Sequence, residues 1–280
     1  MSNDDVRFVD ANGLRFGYLE SGAGPLVLLV HGFPDTAYSW DATRAALAAD
    51  GFRAVAPFTR GYAPTDVPPT EAYDSDTLGR DLIALVDALA GGQPSVIVGH
   101  DWGASAAYSA AALAPEKLSL LVTIAIPHPA SVAPTPSVVW AVRHFFSLRR
   151  RGAVRWMPER DFAHVDELMH RWSPRWNFGP EESAAVKAIF RNPKNLDAAL
   201  GYYRALRPWP PSSHKMKIRV PTVCFAGDSD IMPAAAYERA RSRFTGAYEV
   251  MRMPGGHFMH REHPEVFNAH LLRVLERVKR

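Results

Sequence analysis

A seven-residue turn, Val98-Gly99-His100-Asp101-Trp102-Gly103-Ala104, constrains this chain more than any other stretch of it. Before the turn, Ser95-Val96-Ile97-Val98 is a short apolar, β-branched run, the pattern of a buried strand. After it, Ala104-Ser105-Ala106-Ala107 opens an alanine-rich stretch that reads as a helix. A chain that passes from strand to helix within five residues needs glycine at the reversal, and Gly99 and Gly103 supply it. The central Asp101 then projects at the helix start, where unpaired backbone N–H groups favour an anion. A carboxylate presented in this way has two readings. One is a helix N-cap; the other is a nucleophile that attacks an sp³ carbon and forms an alkyl ester.

Further chemistry-bearing segments follow strand-like runs along the chain. Leu26 to Val30 is apolar and ends in His31-Gly32-Phe33-Pro34. Val223-Cys224-Phe225-Ala226-Gly227 leads into Asp228-Ser229-Asp230, and Pro254-Gly255-Gly256-His257-Phe258 precedes a final helical pattern. Nucleophile, then acid, then histidine is a chain order that builds a hydrolytic triad. His257 is one of eleven histidines, but the two glycines before it and its place after a late strand favour a catalytic role over a surface loop. His260 and His263 are expected at solvated or helix-start positions. Asp228 and Asp230 both remain open as the acid that orients the histidine.

At 280 residues the chain is long enough for one large α/β domain with an insertion, and 47% hydrophobic residues suit a sizeable core. A net charge of +3 is weak grounds for a polyanionic partner, so no nucleic acid is expected. The lone Cys224 excludes an internal disulfide and reads as a core residue. Met1 to Asp5 has neither a basic nor an apolar stretch, and no run approaches the length of a membrane span, so a soluble cytoplasmic protein is the expectation.

Strand and helix patterns alternate to about residue 128, which argues for a mainly parallel sheet covered by helices. Val6 to Glu20 reads as an opening antiparallel pair, Arg53 to Pro57 and Leu118 to Ile126 as strands, and Asp76 to Ala90 as a helix. From 129 to 212 strand patterns vanish and aromatics are spread through helical stretches. Pro134 and Pro136 mark the entry, and Pro208, Pro210 and Pro211 the exit. The expected organisation is a core of 1–128 and 213–280 with a helical cap of 129–212. The arginines at 143, 149, 150, 151, 155 and 160 read as a solvated cap surface, and most cap aromatics as core.

These motifs together resemble the α/β-hydrolase superfamily along nearly the whole chain. Gly99-His100-Asp101-Trp102-Gly103 is a variant of its Gly-x-Ser-x-Gly nucleophile elbow, and His31-Gly32-Phe33-Pro34 is similar to its oxyanion-hole segment. With an aspartate nucleophile, the chain looks most like epoxide hydrolases and their dehalogenase relatives. Arg60-Gly61-Tyr62, Pro127-His128-Pro129 and Gly201-Tyr202-Tyr203-Arg204 match patterns of the former. The resemblance implies that Asp101 opens an epoxide as Tyr203 protonates the departing oxygen. His257, oriented by Asp230, then activates water on the ester, and the N–H groups of Phe33 and Trp102 hold the oxyanion. It also implies a fold with a mainly parallel central sheet, flanking helices and an inserted cap, with no cofactor or metal. The partners implied are a small apolar epoxide-like substrate and water, and the protein is a monomer or homodimer.

One departure stands out. The family usually carries two cap tyrosines, and between Tyr108 and Tyr202 there is none, which makes His144 the candidate for the missing one. Haloalkane dehalogenase is the nearest rival reading, with the same nucleophile, acid and histidine. Phe33 stands where those enzymes usually place a halide-binding Asn, and Tyr203 would have no task in that chemistry. A haloacetate dehalogenase would need arginines just after the elbow, and there are none. A catalytically weak hydrolase fold that binds a small apolar ligand is the third reading.

Overall fold

The computed structural model describes residues 6–207 and 209–278. The N-terminal pentapeptide and Pro208, both read in the sequence, lie outside the described residues, as do 279–280. A hairpin opens the chain, β1 (Arg7–Ala11) and β2 (Leu14–Ser21), turning at Asn12-Gly13. Then come β3 (Leu26–Val30), α1 (Asp41–Ala49), β4 (Arg53–Pro57), α2 (Ser75–Leu89), β5 (Ser95–His100), α3 (Trp102–Leu113) and β6 (Leu118–Ile124). Every residue of β3 and β5 is buried, which is why both read as unbroken apolar runs: helices cover both faces of the sheet there. β6 stops two residues before the expected Ile126, because Ala125 turns the backbone with φ +67°.

The chain then leaves the sheet for α4 (Pro136–Ala141), α5 (His144–Leu148), α6 (Ala153–Trp156), α7 (Glu159–Trp172), α8 (Glu181–Phe190), α9 (Pro193–Arg204) and α10 (Ser212–Lys215). Within α7, Arg160, Asp161 and Phe162 have positive φ, so regular helix begins only after them. β7 (Thr222–Gly227), α11 (Ala234–Ala240), β8 (Tyr248–Met253), α12 (Met259–Glu262) and α13 (Pro264–Leu275) complete the fold. Of the aromatics in the helical insertion, Trp140, Phe146 and Trp209 are exposed rather than core. Among the described residues no helix is long and apolar enough to cross a membrane.

The eight strands form one sheet in the order β1-β2-β4-β3-β5-β6-β7-β8. Only β1–β2 and β2–β4 pair antiparallel; the remaining pairs are parallel. Because β4 and β5 flank β3, the chain order reverses there, and Val30 lies in register with Gly99. The segments that follow β3 and β5 therefore emerge side by side at the carboxyl edge, the place where α/β sheets form ligand crevices.

The loop after β4 ties the helical insertion to this core. Arg60 donates from Nε and Nη2 to the two oxygens of Asp81 at 2.7 and 2.6 Å, with both side chains buried. Asn12 also donates to Asp81. From α9, the Tyr202 hydroxyl donates to the Arg60 carbonyl at 2.8 Å and Asn195 to the Gly61 carbonyl at 2.8 Å. Asp81→Ala leaves the guanidinium buried without its anion, which should cost about 3–5 kcal/mol in urea unfolding; a loss within the range of a surface substitution would contradict this.

Six histidines are buried with their pKa pushed down, chiefly by desolvation: His31 to about 4, His128 and His144 to about 3, and His100, His214 and His260 in the same direction. They fold neutral and are protonated in the unfolded chain once pH drops below its ordinary histidine value. Their contribution is present above that value and lost as pH falls through the folded values. Burial raises Asp35 and Asp81, which act the other way. With six groups against two, unfolding free energy should decline steadily from pH 6.5 towards 4; a flat profile would contradict this.

Candidate active site

Asp101 sits between β5 and α3 with φ 51° and ψ −117°, a conformation that costs a non-glycine residue energy and persists only where its surroundings fix it. Two glycines fix it. A Cβ on Gly103 would collide with the Val30 carbonyl, and one on Gly32 would strike the Asp101 carboxylate. The neighbouring strand ends can close on each other only because both positions lack side chains. Asp101 Oδ1 accepts the Phe33 backbone N–H at 2.8 Å, and the Trp102 amide lies against the same Gly32.

Oδ2 of Asp101 faces His257, 3.4 Å from Nε2, an ion-pair contact rather than an aligned hydrogen bond. On the other side of the ring, His257 Nδ1 lies 3.3 Å from Asp230 Oδ1. Burial by itself would lower the pKa of His257. The charge of Asp230, together with that of Asp101, outweighs burial and lifts it to about 10. The ring is thus an imidazolium at neutral pH, with an N–H towards each carboxylate. The two candidate acids separate clearly. Asp230 is fully buried against His257, whereas Asp228 is half-exposed, accepts the Gly255 N–H and lies 3.4 Å from Arg175.

The helical insertion contributes the opposite wall. Tyr203, near the end of α9, is 1% exposed and meets the rings of Phe33 and Trp102 edge-on at 5.2 and 5.3 Å. Burial, then the Asp101 charge, holds its phenol well above the ordinary value, while a Trp102 side-chain hydrogen bond and Arg171 partly oppose them. It is a neutral O–H, able to donate. His144, the first residue of α5, is buried with its ring 6.0 Å from that of Tyr203. Desolvation first, then the Arg171 charge, pushes it down to about 3, so it too is neutral. The structure therefore brings Asp101, His257 and Asp230 into contact, places the Phe33 amide on Asp101, and packs Tyr203 against the Phe33 and Trp102 rings with His144 beside it.

Sequence reasoning did not single out the contacts that hold the His257 loop. The Trp172 carbonyl accepts the His257 N–H at 2.9 Å and its ring stands 5.1 Å from the imidazole. Ser173 Oγ accepts the Phe258 N–H at 3.1 Å. No pattern announces such contacts, because they depend on where α7 ends. His260 requires a correction: it is buried, not solvated, and stacks on Trp40 at 4.7 Å. Three residues on from His257 and within the short α12, it turns inward beneath the catalytic candidate instead of outward. His263 is exposed, as expected.

Behind His257, Asp35, His100 and His260 bring their ligand atoms within 4.8 Å of one another. His100 Nε2 donates to the His257 carbonyl at 2.9 Å, which leaves the buried Nδ1 as a lone pair with no partner among the described residues. Asp35 is already paired with Arg261 at 3.1 Å, so its charge is answered by protein.

A family model described as the alpha/beta hydrolase fold matches residues 25–264. The chain is 28% identical to the AB hydrolase superfamily protein YfhM of Bacillus subtilis, over 99% of both chains. It is 29% identical to epoxide hydrolase A of Mycobacterium tuberculosis, over 96% of both. Among solved structures it resembles epoxide hydrolase VrEH1 from Vigna radiata, with 26% identity, a TM-score of 0.81 and 98% of both chains covered. With this fold and this elbow, the chain belongs to the α/β-hydrolase fold family and is epoxide hydrolase-like within it.

Proposed function

We propose that this protein hydrolyses epoxides to vicinal diols, with residues 129–212 as the cap over the reacting carbon. The observation that carries the reading is a neutral, buried Tyr203 phenol packed edge-on against Phe33, the residue whose N–H already holds Oδ1 of the Asp101 carboxylate. Oδ2 of Asp101 is then the attacking atom. It forms a bond to one oxirane carbon as the C–O bond breaks, and Tyr203 gives its proton to the departing oxygen, with His144 as second donor. The strained ring and this proton make an otherwise poor alkoxide leaving group tolerable.

Ester formation removes the Asp101 charge, one of the two that hold the proton on His257. The imidazolium then returns a proton to the Tyr203 phenolate and becomes a free base. It takes a proton from water as that water attacks the Asp101 ester carbonyl. The oxyanion forms at Oδ1, where the Phe33 N–H already sits, with the Trp102 N–H as its second donor. Collapse breaks the bond to the alkyl oxygen, which takes up the proton of the new carboxylic acid. The carboxylate and imidazolium are thereby restored, and only water is consumed.

The rival reading, haloalkane dehalogenation, uses the same nucleophile but leaves Tyr203 idle. Diol formation from aryl and alkyl epoxides, measured beside halide release from haloalkanes, separates the two. Asp101→Asn should abolish diol formation. Tyr203→Phe should reduce it by about 10²–10⁴-fold, the range for loss of a general acid. Halide release that survives Tyr203→Phe, with no diol from any epoxide, would overturn the proposal. His144→Phe should slow the opening step less than Tyr203→Phe does, since it leaves the first donor in place; an equal or larger loss would assign His144 the leading role.

A further inference from the structure

Most arginines of the helical insertion face solvent: Arg149, Arg150, Arg151, Arg155 and Arg160 are exposed. Arg143 and Arg171 are half-buried instead, and both line one cavity of about 250 Å³, together with His144, Ser147 and Glu167. Neither guanidinium is paired with a carboxylate among the described residues. Arg143 donates to the Trp140 carbonyl at 2.8 Å and stacks over that ring at 4.3 Å. Glu167, the acid of the cavity wall, is taken up by Arg160 at 2.8 Å and His164 at 3.0 Å.

The cavity thus carries two cations, and the one carboxylate of its lining among the described residues, Glu167, is engaged by other groups. On Arg171, Nε and Nη2 are buried without a partner. These are the atoms with which Arg60 grips both oxygens of Asp81 in this protein. The edge that fits a carboxylate is engaged on Arg60, whereas on Arg171 no group among the described residues meets it. Burial and the charge of Arg143 both push the Arg171 pKa down, so the cation is held there at a cost that an anion would relieve.

The cavity lies beside the candidate catalytic residues. His144 lines it and also stands 6.0 Å from the Tyr203 ring; Arg171 directly precedes Trp172, whose ring lies 5.1 Å from His257. We infer that this cavity binds the carboxylate of an epoxide substrate whose acid group is remote from the oxirane, with Arg171 and Arg143 as its cationic partners. The assignment of the substrate as an epoxide rests on the function proposed above; the carboxylate site itself does not.

Octanoate and its uncharged isostere octanamide probe the site without chemistry. By calorimetry at neutral pH, octanoate should bind wild type at least about tenfold more tightly than octanamide, and Arg171→Gln or Arg143→Gln should each shrink that ratio towards one. The half-exposed Arg143 supplies the second variant should Arg171→Gln fold poorly. A matched epoxyalkanoate and its methyl ester should then differ mainly in KM in wild type, with the difference falling in both variants. Octanoate binding lost in the variants, with neither epoxide turned over, would sink the hydrolase reading and uphold the carboxylate site. Equal affinity for octanoate and octanamide in wild type, or octanoate binding unchanged in both variants, would overturn the site.

Discussion

One buried imidazolium shared by two carboxylates organises the active-site end of this molecule. His257 stands between Asp101 and Asp230 at 3.4 and 3.3 Å, with a pKa raised to about 10. In a site this dry each charge is tolerable only because the others are present. Under the proposed mechanism the arrangement also contains its own trigger. Once Asp101 becomes an ester, a single partner remains for the cation, and a group that was an ion-pair partner becomes a base. On that mechanism the same side chain stabilises the resting carboxylate and later activates water.

That trio depends on the sheet. The parallel register of Val30 with Gly99 sets the ends of β3 and β5 side by side, and the missing side chains of Gly32 and Gly103 let them touch. Asp101 is held at positive φ by that closeness, which aims its carboxylate at the Phe33 amide. Residues on the far side of the chamber are positioned by different means: Tyr202 and Asn195 fasten α9 to the Arg60–Gly61 backbone, and the buried Arg60–Asp81 pair fastens that loop to α2. Tyr203 packs on Phe33 and Trp102 from a helix that its neighbour Tyr202 anchors to the Arg60 carbonyl.

Much of this was legible in the sequence, for physical reasons that differ by element. β3 and β5 are buried on both faces, so their apolar runs were unambiguous, and the glycines that follow them, Gly32 and Gly103, mark an approach too close for any side chain. The alanines of α3 likewise announce a helix packed closely against its neighbours. The choice of Asp230 over Asp228 rested on the family resemblance and not on the residues themselves, because both follow β7 within three residues and only side-chain direction distinguishes them. The burial of His260 was not legible, since it depends on α12 turning it under His257. The helical insertion was the least readable part: α7 begins with a left-handed stretch at Arg160–Phe162, so spacing counted from its start does not predict the face of Arg171, and Arg143 lies in the turn between α4 and α5. Two half-buried arginines therefore looked no different from five exposed ones, or were not singled out.

The most direct test of the account is intact-mass analysis of His257→Gln after brief exposure to an epoxide. The nucleophile remains while the base is lost, so the chain should gain the mass of one epoxide molecule, mapped to the peptide that contains Asp101 and decaying only slowly. Diol released at the wild-type rate, or an adduct on any residue other than Asp101, would contradict it.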